Sequence, residues 1–147
     1  MSKTFKGHAV LPGRTSGEAV VTRTGFNTLA SFAKALFGRA RRAVCADHGN
    51  PDLFRKLLTD RILCIPYAIG STGGGLVLET AIHVGIAPRA LLLSGALDTV
   101  TASGVVLSDV WKNKRMVTVD QLGEAFLEQV KTGQQIEIHE DGTVIVS

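Results

Sequence analysis

A glycine-rich segment in the middle of the chain has the residue types that bind anions. Residues 70–75 are Gly-Ser-Thr-Gly-Gly-Gly and lie between two apolar runs. If a helix begins here, its first backbone N–H groups have no partner within the helix and carry partial positive charge, which holds a carboxylate or phosphate without a basic side chain. Glycines let such an anion reach the backbone. The segment therefore predicts an anion site, and Ser71 lies where the positive field favours its ionised form.

Two other interpretations of residues 70–75 compete with the anion site. A tight turn, in which Ser71 or Thr72 caps the following helix, accounts for the same residues without any ligand. A nucleotide-binding loop is disfavoured, because no Gly-Lys-Ser or Gly-Lys-Thr follows and the glycines are not spaced as G-x-G-x-x-G. Taken alone, the segment favours anion binding more strongly than catalysis.

The other ionisable residues do not complete a catalytic set. His8, His48, His83 and His139 are scattered along the chain, and no cluster of His, Cys and acidic residues has the spacing of a metal site. His83 lies in an apolar run, so we expect it in the core. Glu79 is the one acid of the same run, and we expect it to form a buried pair rather than to act in acid–base chemistry.

Buried strands and a buried helix are predicted on both sides of the glycine-rich segment. Residues 61–66 form a continuous apolar run that ends in proline, which is typical of a strand buried on both faces. Residues 76–84 predict a helix that is apolar nearly all round and therefore central, and residues 90–94 predict a second buried strand. This strand–loop–helix–strand unit predicts parallel pairing with a right-handed crossover. It places the loop at the carboxyl ends of the strands, where open α/β sheets bind ligands.

The flanking segments predict the remaining elements of one α/β domain that spans residues 1–147. Two strands near the start are expected to form an opening hairpin, and the best hairpin signal of the sequence lies near the end. Asp120 is expected to cap a helix, while residues 39–60 show little pattern beyond one helical turn. The predicted elements are strands at 4–10, 18–22, 115–119, 136–139 and 143–146, helices at 28–37, 98–110 and 120–131, and the turn at 53–58.

Composition and charge limit the class of protein. The chain has 147 residues, of which 45% are hydrophobic and 20% charged, as expected of one globular domain. A net charge of +3 with interspersed signs does not indicate a nucleic-acid protein, and 5% aromatic residues leave few platforms for stacking bases. The densest basic stretch contains Arg39, Arg41 and Arg42. We expect it to be solvated or to face a partner.

The two cysteines and the apolar segments point to a reduced, cytoplasmic setting. Cys45 and Cys64 lie 19 residues apart without a CxxC pattern, so neither a disulfide framework nor a zinc site is predicted. Cys64 falls in an apolar run and is expected in the core. The start of the sequence lacks the apolar region of a signal peptide, and no stretch of 18 apolar residues exists. No membrane contact is therefore expected.

A set of short motifs in a fixed order resembles the small subunit of aconitase X over nearly the whole chain. The motifs are Gly-His-Ala-Val at 7–10, Pro-Gly at 12–13, Gly-Glu-Ala at 17–19, Gly-Phe at 25–26, Ile-Pro at 65–66, Gly-Ser-Thr-Gly at 70–73 and Asp-Gly-Thr-Val at 141–144. The resemblance implies a swivelling β/β/α domain that closes over a large subunit. That partner would carry an iron–sulfur cluster and most of the substrate contacts, so that this chain binds no metal.

The resemblance also implies roles for individual residues. The serine of the family's Gly-Ser loop falls on Ser71, which would act as the base that removes a proton next to the substrate carboxylate. Cluster iron of the partner would act as a Lewis acid on the departing hydroxyl, so that the net reaction is elimination of water. The residues expected to bind the small carboxylate substrate are Gly70, Thr72, Gly73, Gly74 and Asn27.

Two substrates are associated with the family, namely cis-3-hydroxy-L-proline in bacteria and a phosphorylated mevalonate in archaea. After Phe26, Asn27 and an amphipathic helix replace the glycine-rich, Asp-Pro-containing stretch of the archaeal-like pattern. This difference favours the hydroxyproline type.

A rival hypothesis is a stand-alone anion-binding or regulatory module that uses the same loop. The module predicts a soluble monomer that binds its ligand alone. The subunit hypothesis instead predicts an exposed apolar patch on the isolated chain.

Overall fold

A mixed β-sheet with helices against it forms the body of the molecule. The computed structural model describes residues 2–70 and 73–147. The strands are β1 (Lys3–Lys6), β2 (His8–Leu11), β3 (Thr15–Val21), β4 (Phe26–Asn27), β5 (Ile62–Ile65), β6 (Ala68–Ile69), β7 (Ala90–Leu93), β8 (Val117–Asp120), β9 (Gln135–Ile138) and β10 (Thr143–Val146). The helices are α1 (Thr28–Phe37), α2 (Gly74–Val84), α3 (Thr99–Lys112) and α4 (Glu124–Gln129). Of the helices in the described part of the chain, none is long and apolar enough to cross a membrane.

The sheet is parallel at its centre and antiparallel at both ends. Its strand order is β1-β10-β9-β3-β5-β7-β8-β2, while β4 and β6 form a separate parallel pair. Strands β3, β5, β7 and β8 run parallel, and β5 pairs with β7 from Ile62↔Ala90 to Ile65↔Leu93. The predicted strand–loop–helix–strand unit with parallel pairing is therefore confirmed, as is the C-terminal hairpin of β9 and β10.

Alternating side chains of the central strands divide the interior into two cores. Leu63 and Leu91 face helices α1, α2 and α3, whereas Cys64 and Leu92 face α4 and the β9–β10 hairpin. Each strand of the parallel centre is thus covered on both faces, which explains its continuous apolar sequence. The layers agree with a β/β/α arrangement, and Cys64 lies in the core as predicted.

The predicted opening hairpin is wrong. β1 pairs with β10, β2 pairs with β8, and β3 lies between β9 and β5. A two-stranded hairpin cannot cover both faces of Val20 and Val21, which are both 2% exposed in the centre of the sheet. Gly7 separates β1 from β2, and its N–H donates to the carbonyl of Gly142 at 3.0 Å.

The predicted capping role of Asp120 is also wrong, because Asp120 is the last residue of β8. The chain turns at Gln121, with a φ of 56°, and α4 begins only after Gly123. The carboxylate of Asp120 is 4% exposed and accepts the N–H of Leu97 at 2.8 Å, and its other oxygen lies 3.0 Å from Nδ1 of His8. Backbone pairing with the end of β7 continues past the predicted start of the helix, which moves the N-cap from Asp120 to Gly123.

Helix α2 is less buried than its composition predicts. Leu78 and Ala81 face the core, but Leu76 is 68% exposed and Val84 is 55% exposed. His83 is exposed too, so its expected core position is wrong. The helix lies between α1 and α3 on one face of the sheet, and the outer side of this layer has no covering element among the described residues.

Residues 39–61 cross from α1 to β5 without a regular helix. The expected helical turn at 53–58 is wrong, because the chain makes tight turns at 51–55 and a bridge between Val44 and Leu57. The hydroxyl of Thr22 donates to Asn50 at 3.1 Å and to Asp52 at 3.2 Å. These polar contacts hold the segment against the end of β3. They stabilise a part of the chain whose sequence shows no apolar periodicity.

Candidate active-site edge of the sheet

Three helices begin at the carboxyl edge of the parallel strands. α1 follows β3, α2 follows β5 and α3 follows β7. Asn27 caps α1, with Oδ1 accepting the N–H of Ala30 at 3.0 Å, and Asp98 caps α3, with Oδ2 accepting the N–H of Thr101 at 2.8 Å. Because helix N-termini carry partial positive charge, their convergence makes this edge suited to an anion.

Asn27 and Gly70 are neighbours, as their shared assignment to the substrate site requires. The short parallel pair of β4 and β6 aligns Asn27 with Ile69. Gly70 follows with a φ of +119°, a conformation that side chains disfavour. A Cβ built on Gly70 would lie 3.3 Å from Oδ1 of Asn27, so the side chain of Asn27 lies against the backbone of Gly70.

Among residues 2–70 and 73–147, no side chain caps the start of α2. Gly73 is the N-cap residue and makes no side-chain capping bond among the described residues, while its carbonyl accepts the N–H of Val77 at 3.1 Å. Gly73 is exposed and Gly74 is half-buried. The N–H groups at the start of the helix can therefore bind a carboxylate, which is the chemistry that the glycines predict.

Ser71 and Thr72 lie outside the described residues. The catalytic role of Ser71 and the binding role of Thr72 stay predictions. The described residues on either side, Gly70 and Gly73, fix the ends of the loop next to α1 and α3.

A close approach of α2 and α3 holds the start of α2 in place. A Cβ built on Gly75 would lie 2.5 Å from the carbonyl oxygen of Val100, and one built on Gly104 would lie 2.5 Å from the carbonyl oxygen of Gly75. Both distances are far below van der Waals contact, so the two backbones touch only because both positions are glycine. This contact was not predicted from the sequence. A glycine in each of two consecutive helices is the signal that could have revealed it.

Asp98 is a second edge residue that sequence reasoning passed over. While Oδ2 caps α3, the buried Oδ1 atom has no hydrogen-bond partner among the described residues. An aspartate directly before a helix is a common N-cap. Its position in the sequence therefore indicated a capping role but no role in a site.

Glu79 and Lys112 form the pair that was expected of the single acid in α2. Nζ of Lys112 lies 3.6 Å from Oε1 of Glu79, whose side chain is 15% exposed. The predicted pairing is confirmed but its burial is not, because the side chain of Lys112 is 36% exposed, and the pair links α2 to the end of α3.

The described residues do not fit an iron–sulfur cluster. In this part of the chain no group of three His, Cys, Asp or Glu side chains could hold a metal ion. Cys45 and Cys64 are buried and unpaired, and burial raises the pKa of the Cys64 thiol, which disfavours the thiolate that binds metals. The cluster expected in the partner subunit stays a prediction.

Comparison with known protein families shows to which family this chain belongs. The family described as the aconitase X swivel domain matches residues 4–146. The chain belongs to this family. Its relatives include the phosphomevalonate dehydratase small subunit of Archaeoglobus fulgidus, which is 29% identical over 93% of this chain and 92% of that protein. The small subunit of the same name from Methanocella arvoryzae is 26% identical, with coverage of 95% and 93%.

The fold agrees with that of a solved aconitase X. The holo-form from Thermococcus kodakaraensis superimposes with a TM-score of 0.82 over 99% of this chain and 98% of the other, at 23% identity. This chain is therefore the small subunit of an aconitase X-type dehydratase, and the resemblance drawn from its ordered motifs is confirmed.

Proposed function

We propose that this chain supplies the loop around Ser71 to a site that it shares with a large subunit, where water is eliminated from cis-3-hydroxy-L-proline. The observation that carries the proposal is the approach of Asn27 to Gly70 at the N-terminus of α2. It joins two predicted binding residues, 43 positions apart in the sequence, at the edge where α1, α2 and α3 begin. An iron–sulfur cluster in the large subunit is part of the proposal.

In the proposed reaction, Ser71 removes a proton and the substrate loses its hydroxyl group. The Ser71 oxygen, as alkoxide, takes the proton from the carbon next to the carboxylate. The electrons of the broken C–H bond form a carbon–carbon double bond as the C–O bond breaks and the hydroxyl group leaves as hydroxide. This hydroxide, together with the proton taken up by Ser71, makes up the water that is eliminated. Backbone N–H groups of the loop, at Gly73 and Gly74, stabilise the alkoxide or the substrate carboxylate, because dipoles that are already oriented need not rearrange during the reaction.

The groups around Asn27 and Gly70 support a substrate with a single carboxylate. Asn27, Thr28, Gly70, Gly73 and Gly74 provide amide, hydroxyl and backbone groups but no cation. Such groups hold a carboxylate at a helix N-terminus. A phosphate as well as a carboxylate would require a cation, which none of these five residues supplies.

Phosphomevalonate is the second candidate substrate, because the relatives from Archaeoglobus fulgidus and Methanocella arvoryzae are named for its dehydration. Those relatives share 29% and 26% of their residues with this chain. The local difference after Phe26, where Asn27 directly begins the cap of α1, favours hydroxyproline over this candidate.

The test is co-expression of this chain with its large subunit, followed by purification and assay of both substrates. Elimination of water from cis-3-hydroxy-L-proline supports the proposal, while turnover of phosphomevalonate alone contradicts the substrate and retains the reaction class. An isolated chain that binds small carboxylates as a monomer, with no complex and no turnover in the co-expressed sample, supports the stand-alone module instead.

A further inference from the structure

Helices α1 and α2 enclose an apolar groove on the outer side of the helical layer. Its walls are two rows of side chains at intervals of four residues, which lie on one side of each helix. The rows are Leu29, Ala33 and Phe37 on α1 and Leu76, Thr80 and Val84 on α2. The groove has a volume of about 680 Å³, and both helices are about 15 Å long at 1.5 Å per residue.

The exposure of this groove is unusual for the surface of a soluble chain. Phe37 is 85% exposed, Leu76 is 68% exposed and Val84 is 55% exposed. Scattered apolar side chains on a surface need no explanation, but an aligned set with a concave shape indicates a binding surface. The exposed side chains of α2 in this patch account for the apolar residues of the helix that do not face the core.

The two ends of the groove differ in character. At one end, Leu29 and Leu76 lie in the first turns of α1 and α2, next to the glycine-rich loop. At the other end, Arg39 and Arg41 line the groove. Within residues 2–70 and 73–147 neither arginine forms an ion pair. Two unpaired cations beside an apolar surface are complementary to an apolar segment that is flanked by acidic side chains.

We infer that this groove is a docking surface for the large subunit, which inserts an apolar segment between α1 and α2 and places carboxylates against Arg39 and Arg41. The inference rests on the proposed function, because it takes the large subunit as the occupant. An amphipathic helix or an extended strand of about 15 Å fits such a groove, as in other helix-in-groove complexes. Docking here brings the large subunit close to Gly73 and Gly74 at the start of α2, which the proposed function assigns to the shared site.

The test measures binding of the full-length chain to the purified large subunit by titration calorimetry or sedimentation. Phe37→Asp and Val84→Asp put a charge into the groove at exposed positions, and each should weaken binding roughly 10- to 30-fold, as expected for an apolar residue that becomes buried in the complex. The matched control is Trp111→Asp, because Trp111 is 80% exposed on α3 and lies outside the groove. The control should bind within about twofold of the original chain, a spread ordinary for rim positions.

The charged end has its own test. The double variant Arg39→Glu/Arg41→Glu should bind at least roughly tenfold more weakly and lose most of the salt dependence of association. The double variant Lys3→Glu/Lys131→Glu is the matched control, since it changes net charge equally near α4 and β1.

Three outcomes overturn the inference. Groove variants that bind like the original chain contradict it, and so does an equal loss in Trp111→Asp, which would show that the effect is not specific to the groove. A dimer of this chain that Phe37→Asp dissociates, with binding to the large subunit unchanged, assigns the groove to a second copy. A complex that forms but turns over neither substrate contradicts the proposed function alone and leaves the docking test intact.

Discussion

Asn27 combines a structural and a proposed binding role in one side chain. Its Oδ1 atom accepts the N–H of Ala30 and so begins α1, and the same side chain lies against Gly70 at the edge of the loop. A residue with two roles is difficult to assign by truncation, because removal of the cap alone costs about 1 kcal/mol of folding stability. Variants that keep the cap are therefore needed to isolate the binding role.

Asn27→Asp should keep the cap and impair substrate binding. Aspartate is as good an N-cap as asparagine, so we expect no loss of thermal stability. Its charge lies beside the loop that is proposed to hold a carboxylate, so KM should rise by roughly tenfold or more, the penalty of one like-charge contact at short range. Steady-state kinetics of the assembled enzyme measure this rise in KM. Asn27→Ser is the control, because serine also caps a helix but adds no charge. An unchanged KM in the aspartate variant would remove Asn27 from the substrate site.

Ser71→Ala tests the proposed base in the same assembled enzyme. Loss of a general base should lower kcat by about 10²- to 10⁴-fold, whereas loss of a group that only anchors the carboxylate should mainly raise KM. Ser103→Ala is the control, because Ser103 is an exposed hydroxyl residue on the neighbouring α3. A Ser71→Ala enzyme with full activity would refute both roles.

At the scale of elements, the contact between α2 and α3 sets the position of the loop. The backbones meet at Gly75 and Gly104, and the Lys112–Glu79 pair joins the same helices nearer their other ends. Any side chain at the glycine contact must push the start of α2 away from α3. The loop geometry therefore depends on residues that do not touch a substrate.

Gly104→Ala should destabilise the chain although alanine is the better helix former. On an open helix this change would stabilise by about 1 kcal/mol, but overpacking at a tight contact costs about 1–3 kcal/mol. We expect lower stability in denaturant unfolding and a lower kcat, because the loop moves with α2. Ser108→Ala on the same helix is the control, since it removes a buried hydroxyl that has no partner in the described part of the chain. A more stable Gly104→Ala variant would contradict the close approach.

The spacing of apolar residues predicted those helices and strands whose structure depends on residues close in sequence. The helix at 28–37 was predicted with its observed bounds, because Leu29, Phe32, Ala33 and Leu36 have helical spacing and Gly38 follows. Strand β5 and the C-terminal hairpin were equally clear. The partners of β1 and β2 were not, because pairing over more than a hundred residues leaves no trace in the spacing of either strand.

The position of the glycine-rich segment in the fold was predictable, but the contacts that support it were not. An apolar strand before residues 70–75 predicted the segment at the carboxyl edge of the sheet, where Gly70 and Gly73 lie. The contact of Gly75 with Gly104 was missed, since it depends on the distance between two helix axes. The apolar pattern of α2 indicated burial, but it could not show that Leu76 and Val84 stay exposed in the described part of the chain.

At the scale of the whole molecule, the turn of the last hairpin fastens β1 to the rest of the sheet. Asp141 accepts the N–H of Thr143 at 2.9 Å and lies 3.0 Å from Nζ of Lys6. The hydrogen bonds from Thr143, followed by the ammonium group of Lys6, hold the pKa of Asp141 well below its usual value. The folded state therefore favours the charged form of this carboxylate.

Asp141→Asn should reduce stability at neutral pH and make no difference in acid. A depressed pKa in the folded state stabilises the fold above the unfolded value of about 3.9, and this contribution is lost as the pH falls towards the folded value. The difference in melting temperature between the original chain and Asp141→Asn should thus shrink from about pH 5 downwards. Glu140→Gln is the control, because Glu140 forms no ion pair among the described residues. A difference that grows in acid would refute the assignment.

The position of β1 and β2 has a consequence for the order in which the molecule can be completed. The two strands occupy opposite ends of the strand order, yet Gly7 alone connects them. Their partners are β10 at Thr143–Val146 and β8 at Val117–Asp120. During translation, β1 and β2 are made long before β10 and β8, so neither strand can pair until its partner has left the ribosome. Until then the sheet lacks its two outermost strands and its open edges can pair with other polypeptides, so the sheet is completed late in synthesis rather than by early collapse.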